Sequence, residues 1–244
     1  MVLQIRDLHV NYGSASILRG IDLTVDHGEA VALLGRNGMG KTTLVRAIAR
    51  HEPPGITAGS ITLLGRQTAK MADYDVCRAG LGLVPQGRRV FGSMTVQENL
   101  AVAAATSGKG PDGEAWTIPR VYEMFPRLAE RARQRATTLS GGEQQMLAIG
   151  RALMTNPALL VMDEPSEGLA QIVLDDIRDR LAELRGSGLS VLVVEQNIDF
   201  ALTLADRVLI LGENGRIVEN RSASDIATDP SVLSRHLGLS GRDA

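Results

Sequence analysis

The stretch that decides the fold of this chain is Gly35-Arg36-Asn37-Gly38-Met39-Gly40-Lys41-Thr42. It fits the phosphate-binding pattern G-x-x-x-x-G-K-[ST], with a short apolar strand before it, Ala30 to Leu34, and a helical stretch after it, Thr42 to Arg50. Glycines allow the backbone to curl until several amide N–H groups face one anion, and the N-terminus of the following helix adds partial positive charge. The stretch therefore predicts a site for the phosphates of a nucleotide, rather than an ordinary glycine turn.

Each residue of this loop, together with the next helical residue, is a candidate ligand of ATP. The candidates are Gly35, Arg36, Asn37, Gly38, Met39, Gly40, Lys41, Thr42 and Thr43. Lys41 is expected to reach the β- and γ-phosphates and to balance charge during hydrolysis, and the Thr42 hydroxyl is expected to bind Mg²⁺.

A second apolar strand, Leu159 to Met162, ends in two adjacent carboxylates, Asp163 and Glu164. In open α/β sheets, ligands bind where such strands end. Because adjacent side chains diverge, we assign Asp163 to the metal and Glu164 to the attacking water as general base. A solvated carboxylate pair at a strand end is the alternative interpretation, and the phosphate loop upstream disfavours it.

The composition narrows the class of protein. The chain has 244 residues and a formal net charge of −2, which gives no electrostatic case for nucleic-acid binding. Its single cysteine, Cys77, excludes an internal disulfide. The sequence shows neither a signal-peptide pattern nor an apolar run of about 18 residues, so we expect a cytoplasmic protein that meets a membrane only through a partner.

Apolar strands alternate with helices along the chain, which predicts one domain, residues 1–244, built on a mostly parallel sheet covered on both faces. Antiparallel parts are expected at the N-terminus and at a C-terminal hairpin around Glu213-Asn214-Gly215. Residues of about 91–153 are predicted to be a helical subdomain inserted between the core segments 1–90 and 154–244. The predicted subdomain begins with a capping box at Thr95 and contains a flexible stretch, Ser107 to Gly113. Asp229-Pro230 predicts the start of a last short helix.

Leu139-Ser140-Gly141-Gly142-Glu143-Gln144-Gln145 lies shortly before the acidic pair and resembles the LSGGQ-type signature of ATP-binding cassettes. Its serine and glycines form another helix N-terminus, and thus a second anion site. The resemblance implies the α/β fold of a P-loop NTPase of the ATP-binding-cassette (ABC) class. It also implies that Ser140, Gly141, Gly142 and Glu143 complete the nucleotide pocket of a second ATPase subunit, identical or related, in a head-to-tail dimer.

Other positions match the marks of this family in order. Tyr12 resembles the aromatic residue that stacks on adenine, although a tyrosine packed in a turn is the alternative. Gln86 resembles the Q-loop glutamine, which touches Mg²⁺ or water and couples the site to the membrane domain. Ser166 to Ala170 occupies the D-loop position. Gln196 stands where the family usually has the switch histidine, and it can position a phosphate or water but cannot carry a proton as imidazolium.

Three stretches narrow the resemblance to ATPases of branched-chain amino-acid importers and their urea and amide relatives. They are Pro85 to Phe91, Ser140 to Arg151, and Val194 to Asn197. Amino-acid importers of this type often have glutamate at the position of Gln86, so this residue favours a urea or amide relative. Glu167 and Gln171 replace the leucine and proline expected after the acidic pair, which bears on the dimer contact rather than on the chemistry.

The resemblance thus implies an ATP-hydrolysing motor of an importer, held at the cytoplasmic face of the membrane by permease subunits and served indirectly by a solute-binding protein. A cassette ATPase without a permease, acting in assembly or nucleic-acid maintenance, is a second hypothesis. Against it, such relatives usually carry two cassettes or long coiled-coil inserts. A P-loop kinase is a third, and the signature and the acidic pair disfavour it.

Overall fold

The computed structural model describes residues 1–104, 115–186, 188–229 and 231–238. The strands are β1 Leu3–Tyr12, β2 Ala15–Val25, β3 Ala30–Leu34, β4 Gly55–Leu63, β5 Arg66–Gln67, β6 Leu81–Val84, β7 Leu159–Asp163, β8 Ser190–Glu195, β9 Arg207–Leu211 and β10 Ile217–Ser222. The helices are α1 Lys41–Ile48, α2 Asp73–Arg78, α3 Val96–Ala104, α4 Ile118–Met124, α5 Pro126–Glu130, α6 Gly141–Leu153, α7 Gln171–Gly186, α8 Ile198–Leu204, α9 Ala223–Thr228 and α10 Ser231–Leu237. The stretch predicted to be flexible, Ser107 to Gly113, and Pro230 lie outside the described residues.

A six-stranded sheet forms the centre of the molecule, in the order β10-β9-β3-β8-β7-β6. All neighbouring pairs are parallel except β10 with β9. Strand β3 is buried along its whole length, with Ala32 and Leu34 packed in the core on one face and Val31 and Leu33 in the core on the other. A strand that is covered on both faces must be apolar throughout, which is why its sequence shows no alternation.

The two faces of this sheet are covered differently. On one side lie α1 and a second, antiparallel sheet in the order β2-β1-β4-β5. On the other side lie the helices α3 to α8, whose apolar residues share one core with the sheet. The predicted α/β fold with an antiparallel N-terminal part is confirmed. Within the described residues, every helix is too short or too polar to cross a bilayer.

The capping signals in the sequence predicted where helices begin. At α3, the Thr95 hydroxyl accepts from the Glu98 amide at 3.2 Å, and the Glu98 carboxylate accepts from the Thr95 amide at 2.8 Å. Ser140 and Glu143 make the same reciprocal pair at α6. Each pair satisfies two amides that have no partner within their helix, and so fixes the first turn.

The apolar pattern of the sequence predicts strands at Ile21 to Val25 and at Ser60 to Leu64 in the second sheet, and both predictions start too late. Strand β2 begins at Ala15, and β4 begins at Gly55. These extensions carry mostly exposed or half-buried side chains, so backbone pairing with β1 holds them and no strong apolar pattern marks them.

Candidate functional site

Four neighbouring strands of the central sheet end at one edge, and the residues that follow them form the candidate site. Strand β3 leads to Gly35, β8 to Gln196, β7 to Glu164 and β6 to Gln86. Because the four strands are parallel and adjacent, residues far apart in sequence meet here. A cleft at this edge is lined by Asn37, Gln86, Glu164, Ser166, Glu167, Glu195, Gln196 and Asn197.

The phosphate loop has the backbone that its glycines permit. Gly38 and Gly40 have φ angles of 81° and 101°, in the region that side chains disfavour. A Cβ at Gly40 would also lie 2.9 Å from side-chain carbons of both Ile17 and Leu18. The hairpin of β1 and β2 therefore approaches the loop closely. Tyr12 lies half-buried on that hairpin, and its stacking on adenine stays a prediction.

Lys41 is buried inside the loop, with 4% of its surface exposed. Its Nζ donates to the Gly35 carbonyl at 2.8 Å and lies 3.2 Å from Oε1 of Glu164. A buried ammonium needs such partners, because taking an unpaired charge out of water is costly. The lysine charge is thus held between the loop and the acidic pair.

Asp163 has a different partner, the next residue of α1. The Thr42 hydroxyl donates to its Oδ1 at 3.3 Å, and the carboxyl is 2% exposed. Burial raises the pKa of Asp163 to about 6, against the lowering effect of the Thr42 hydrogen bond. No group of three or more His, Cys, Asp or Glu side chains suited to a metal occurs in the described part of the chain. A cation at the Thr42 and Asp163 oxygens would thus need further oxygens from a ligand, as Mg²⁺ at phosphates commonly does.

Three donor groups contact the Glu164 carboxylate. Besides Lys41, the Gln196 amide nitrogen donates to Oε1 at 2.7 Å and the Gln86 amide nitrogen donates to Oε2 at 3.0 Å. Its φ angle is 48°, and its own N–H donates to the Val194 carbonyl, so the backbone holds the side chain in this direction. The two carboxylates of the acidic pair thus have different partners, the Thr42 hydroxyl for Asp163 and three donor groups for Glu164.

The two glutamines predicted at the site lie on opposite sides of Glu164. Gln196 also donates to the Asn37 side chain, which ties it to the phosphate loop. Gln86 also donates to the Glu167 carboxylate at 3.1 Å. The structure places the Gln86 amide nitrogen between two carboxylates, and not against the Thr42 and Asp163 pair, so its role as a metal ligand stays a prediction.

The signature residues form a separate site at the N-terminus of α6. The Ser140 hydroxyl oxygen accepts from the Glu143 amide, and the first intrahelical hydrogen bond runs from the Gln144 amide to the Ser140 carbonyl. The amides of Gly141 and Gly142 precede that bond, so they are the ones positioned to bind an anion. The Glu143 carboxylate accepts from the Ser140 amide and so completes the cap, and its contact with a second nucleotide stays a prediction.

Two residues near these sites were missed from the sequence. Arg88 lies against the signature, since its Nη1 would be 2.9 Å from a Cβ at Gly141. Glu195 is 1% exposed and binds backbone amides of two loops. Glu195 could have been identified from the sequence, because it is a charged residue at the end of an otherwise apolar strand. Arg88 could not, because arginine is common in loops.

Comparison with known proteins agrees with this geometry. A family model described as ABC transporter matches residues 18–167. The chain is 44% identical, over 227 residues, to the high-affinity branched-chain amino acid transport ATP-binding protein BraG of Pseudomonas aeruginosa, covering 93% of this chain and 95% of that protein. It is 33% identical over 220 residues to a probable branched-chain amino acid transport ATP-binding protein, LivF, of Archaeoglobus fulgidus, covering 90% and 91%.

A solved structure of an ATP-binding cassette of an ABC transporter, in its ADP conformation, superposes with a TM-score of 0.80. The two chains are 26% identical, and the match covers 98% of this chain and 99% of that one. The chain therefore belongs to the ABC transporter family, as an ATP-binding cassette that hydrolyses ATP.

Proposed function

We propose that this cassette powers an importer for branched-chain amino acids or a related small polar solute, such as urea or an amide. The observation that carries the proposed chemistry is the meeting of Lys41, Thr42, Asp163 and Glu164 at one sheet edge. The solute class is supported by the names of two relatives, BraG and LivF, and by the Gln86 and Gln196 variants of the sequence.

In the proposed reaction, Thr42 and Asp163 would hold Mg²⁺, and Gln86 would supply a further oxygen if its loop moved toward them. Bound there, the metal would supply positive charge to balance the β- and γ-phosphates. The Lys41 ammonium exchanges its contact with Glu164 for contacts with the phosphates, because a triphosphate carries more negative charge than one carboxylate does. Glu164 is then free to accept a proton from the attacking water.

Gln196 is proposed to orient that water or the γ-phosphate. Its amide donates to Glu164 at 2.7 Å and also to the Asn37 side chain, so it lies between the proposed base and the phosphate loop. An amide has no acidic proton near neutral pH, which limits it to positioning. Tyr12 is proposed to stack on adenine.

The second anion site is proposed to bind the ATP of another cassette, either a second copy or a related chain. The amides of Gly141 and Gly142 lie at the positive end of α6, and the Arg88 guanidinium lies beside them. The Arg88 guanidinium also donates to the Glu167 and Gly168 carbonyls, which holds it near α6. A helix N-terminus and a guanidinium both attract an anion, so a phosphate from a facing subunit would bind to both. Residues of about 91–153 are proposed to move as the subdomain that carries this signature.

The test of this function replaces Ser140 with aspartate. Aspartate is as good an N-cap as serine, so α6 and the fold are expected to keep their stability. Its negative charge would repel a phosphate at the signature. We expect ATP binding at the Lys41 loop to stay within about threefold, and ATP-dependent dimerisation and hydrolysis to fall at least about tenfold. Equilibrium titration with ATP, light scattering and phosphate release measure the three quantities.

The matched control is Thr138→Asp, which adds the same charge two residues earlier at an exposed position. Retained hydrolysis in the Ser140 variant, or an equal loss in both variants, contradicts the role of the signature. Absence of Mg²⁺-dependent hydrolysis by the unsubstituted chain contradicts the proposed function itself.

The permease is proposed to dock in a groove beside the Q-loop. The groove is lined by apolar side chains that include Tyr74 and Phe91, and by the basic residues Arg78 and Arg151. Tyr74 is 61% exposed and Phe91 41%, and exposed apolar side chains that line one groove are typical of an interaction site. Because α3 forms another wall and the Q-loop runs along it, a protein seated here contacts the segment that carries Gln86. The chain would thereby lie at the cytoplasmic face of the membrane.

Substitution of Tyr74 by serine tests this docking. We expect at least about tenfold less co-purification with the permease subunits of the transporter, since exposed aromatic anchors dominate interfaces. Hydrolysis by the isolated chain is expected to stay unchanged. Val218→Ser, at an apolar residue that is 38% exposed on β10, is the control. Equal recovery with both variants contradicts the groove, and uptake of labelled leucine or urea by the reconstituted complex identifies the solute.

A further inference from the structure

Glu195, the last residue of β8, is a buried carboxylate that the proposed mechanism does not use. Only 1% of it is exposed. Its Oε1 accepts from the Ser166 amide at 2.9 Å. Its Oε2 accepts from the Gln196 amide at 2.9 Å and from the Asn197 amide at 3.1 Å. One side chain thus binds the backbones of two loops that are thirty residues apart in sequence.

These contacts exclude some roles and favour another. An ionised carboxylate has only acceptor sites, and here both oxygens already accept from backbone N–H groups, although the residue forms part of the cleft wall. Glu195 is therefore poorly placed to accept a proton from water. Three charge-assisted hydrogen bonds offset the cost of burying its charge, and such bonds are stronger than neutral ones. The arrangement is that of a clamp between the D-loop, residues 166–170, and the switch loop, residues 196–197.

Each of the two clamped loops carries a side chain next to the general base. Gln196 of the switch loop donates to Glu164 directly, and Glu167 of the D-loop accepts from Gln86, which also donates to Glu164. We propose that Glu195 is a positioning residue, whose carboxylate holds the D-loop to the switch loop. It thereby keeps Gln196 and, through Glu167, Gln86 in place beside Glu164. The inference rests on the proposed function, because it assigns Glu164 the role of base.

The principal test is Glu195→Gln. Glutamine has one acceptor oxygen and one NH₂ group, so in either orientation it directs N–H against N–H at one of the loops. A displaced loop near the reacting atoms lowers turnover more than binding. We expect kcat to fall about tenfold or more while the Kd for ATP changes less than about threefold. Glu195→Asp keeps both oxygens on a shorter chain and is expected to recover part of kcat.

Glu29→Gln is the matched control for a purely structural loss. Glu29 is another largely buried carboxylate, and it binds Arg207 and the Asp26 amide at the opposite end of β3. This variant is expected to lower stability without the selective loss of kcat. If both variants lose kcat in proportion to their folded fraction, Glu195 has only a structural role.

Amide exchange measured by NMR tests the clamp without any variant. The Ser166 and Asn197 amides are expected to exchange slowly in the unsubstituted chain, and at least one of them about tenfold faster in Glu195→Gln. Fast exchange of Ser166 in the unsubstituted chain, or full kcat in Glu195→Gln, overturns the inference. If Glu195→Gln does not fold, the amide exchange rates and kcat of Glu195→Asp decide the question. Exchange rates and a kcat equal to those of the unsubstituted chain would overturn the clamp. A chain that hydrolyses no ATP in any form contradicts the proposed function instead.

Discussion

Glutamine in place of Glu164 is expected to lower the rate of ATP hydrolysis by about 100-fold or more while leaving ATP binding intact. Glutamine keeps the size of the side chain, but its single oxygen can accept from Gln86 or from Gln196 and not from both as they lie here. It also cannot accept a proton from water, and general bases contribute about 10²–10⁴-fold to rates. Binding is expected to stay equal or become tighter. The reason is that Lys41, now 3.2 Å from the Glu164 carboxylate, no longer has a competing anion when phosphates arrive.

Phosphate release under saturating Mg²⁺ and ATP measures the rate, and an equilibrium titration with ATP measures binding. The control is Glu183→Gln on α7, where the side chain is 60% exposed and the same loss of charge should change neither quantity. Hydrolysis within a few-fold of the unsubstituted rate would remove Glu164 from the role of base. Loss of binding would instead show that the carboxylate holds the loop in its active shape.

The parts of the site that could be predicted are those whose sequence pattern requires a backbone shape. The glycines of the phosphate loop are one example, because φ angles of 81° and 101° at Gly38 and Gly40 exclude most other residues. The carboxylates at the end of β7 are another, since an apolar strand that ends in two charges must end at a polar edge of the sheet. Both patterns are local, so a single sequence contains them.

Other features depend on which loops meet in space, and the sequence does not contain that information. Gln86 was identified by position, but its hydrogen bonds to Glu164 and Glu167 depend on the order of β6 and β7 in the sheet. The short helices α2 and α8 were not predicted as elements, because six or seven residues hold less than two turns of apolar pattern. Arg88 was missed because its position depends on which loops meet in space, and its neighbour Gly141 lies more than fifty residues away in the sequence.

Asparagine in place of Asp163 is expected to stabilise the fold and to abolish the Mg²⁺-dependent reaction. The Asp163 carboxyl is 2% exposed, and burial raises its pKa to about 6, above the usual value of about 3.9. A group that ionises less readily in the native state than in the unfolded chain destabilises the native state at neutral pH. Asparagine keeps an oxygen for the Thr42 hydroxyl and has no charge to bury.

The sign of the pH dependence follows from the direction of the pKa shift. The destabilisation by ionised Asp163 is fully present above about pH 6 and is relieved as the pH falls through 6 to below about 4, where the carboxyl is protonated in both states. In urea denaturation without Mg²⁺ or nucleotide, we therefore expect Asp163→Asn to raise the free energy of unfolding by about 1–3 kcal/mol at pH 7.5 and by much less near pH 4.5. The control is Asp176→Asn, at a half-exposed carboxylate of α7, which should change the free energy of unfolding little at either pH.

The same substitution is expected to lower Mg²⁺-dependent hydrolysis by about 100-fold or more, because a neutral amide is a weak ligand for a hard divalent cation. Stability that is gained where activity is lost would mark Asp163 as a charge kept for the metal rather than for the fold. An unchanged free energy of unfolding at pH 7.5 would contradict the raised pKa. Retained hydrolysis would contradict the metal site. The two measurements therefore test the electrostatics and the chemistry of this carboxylate separately.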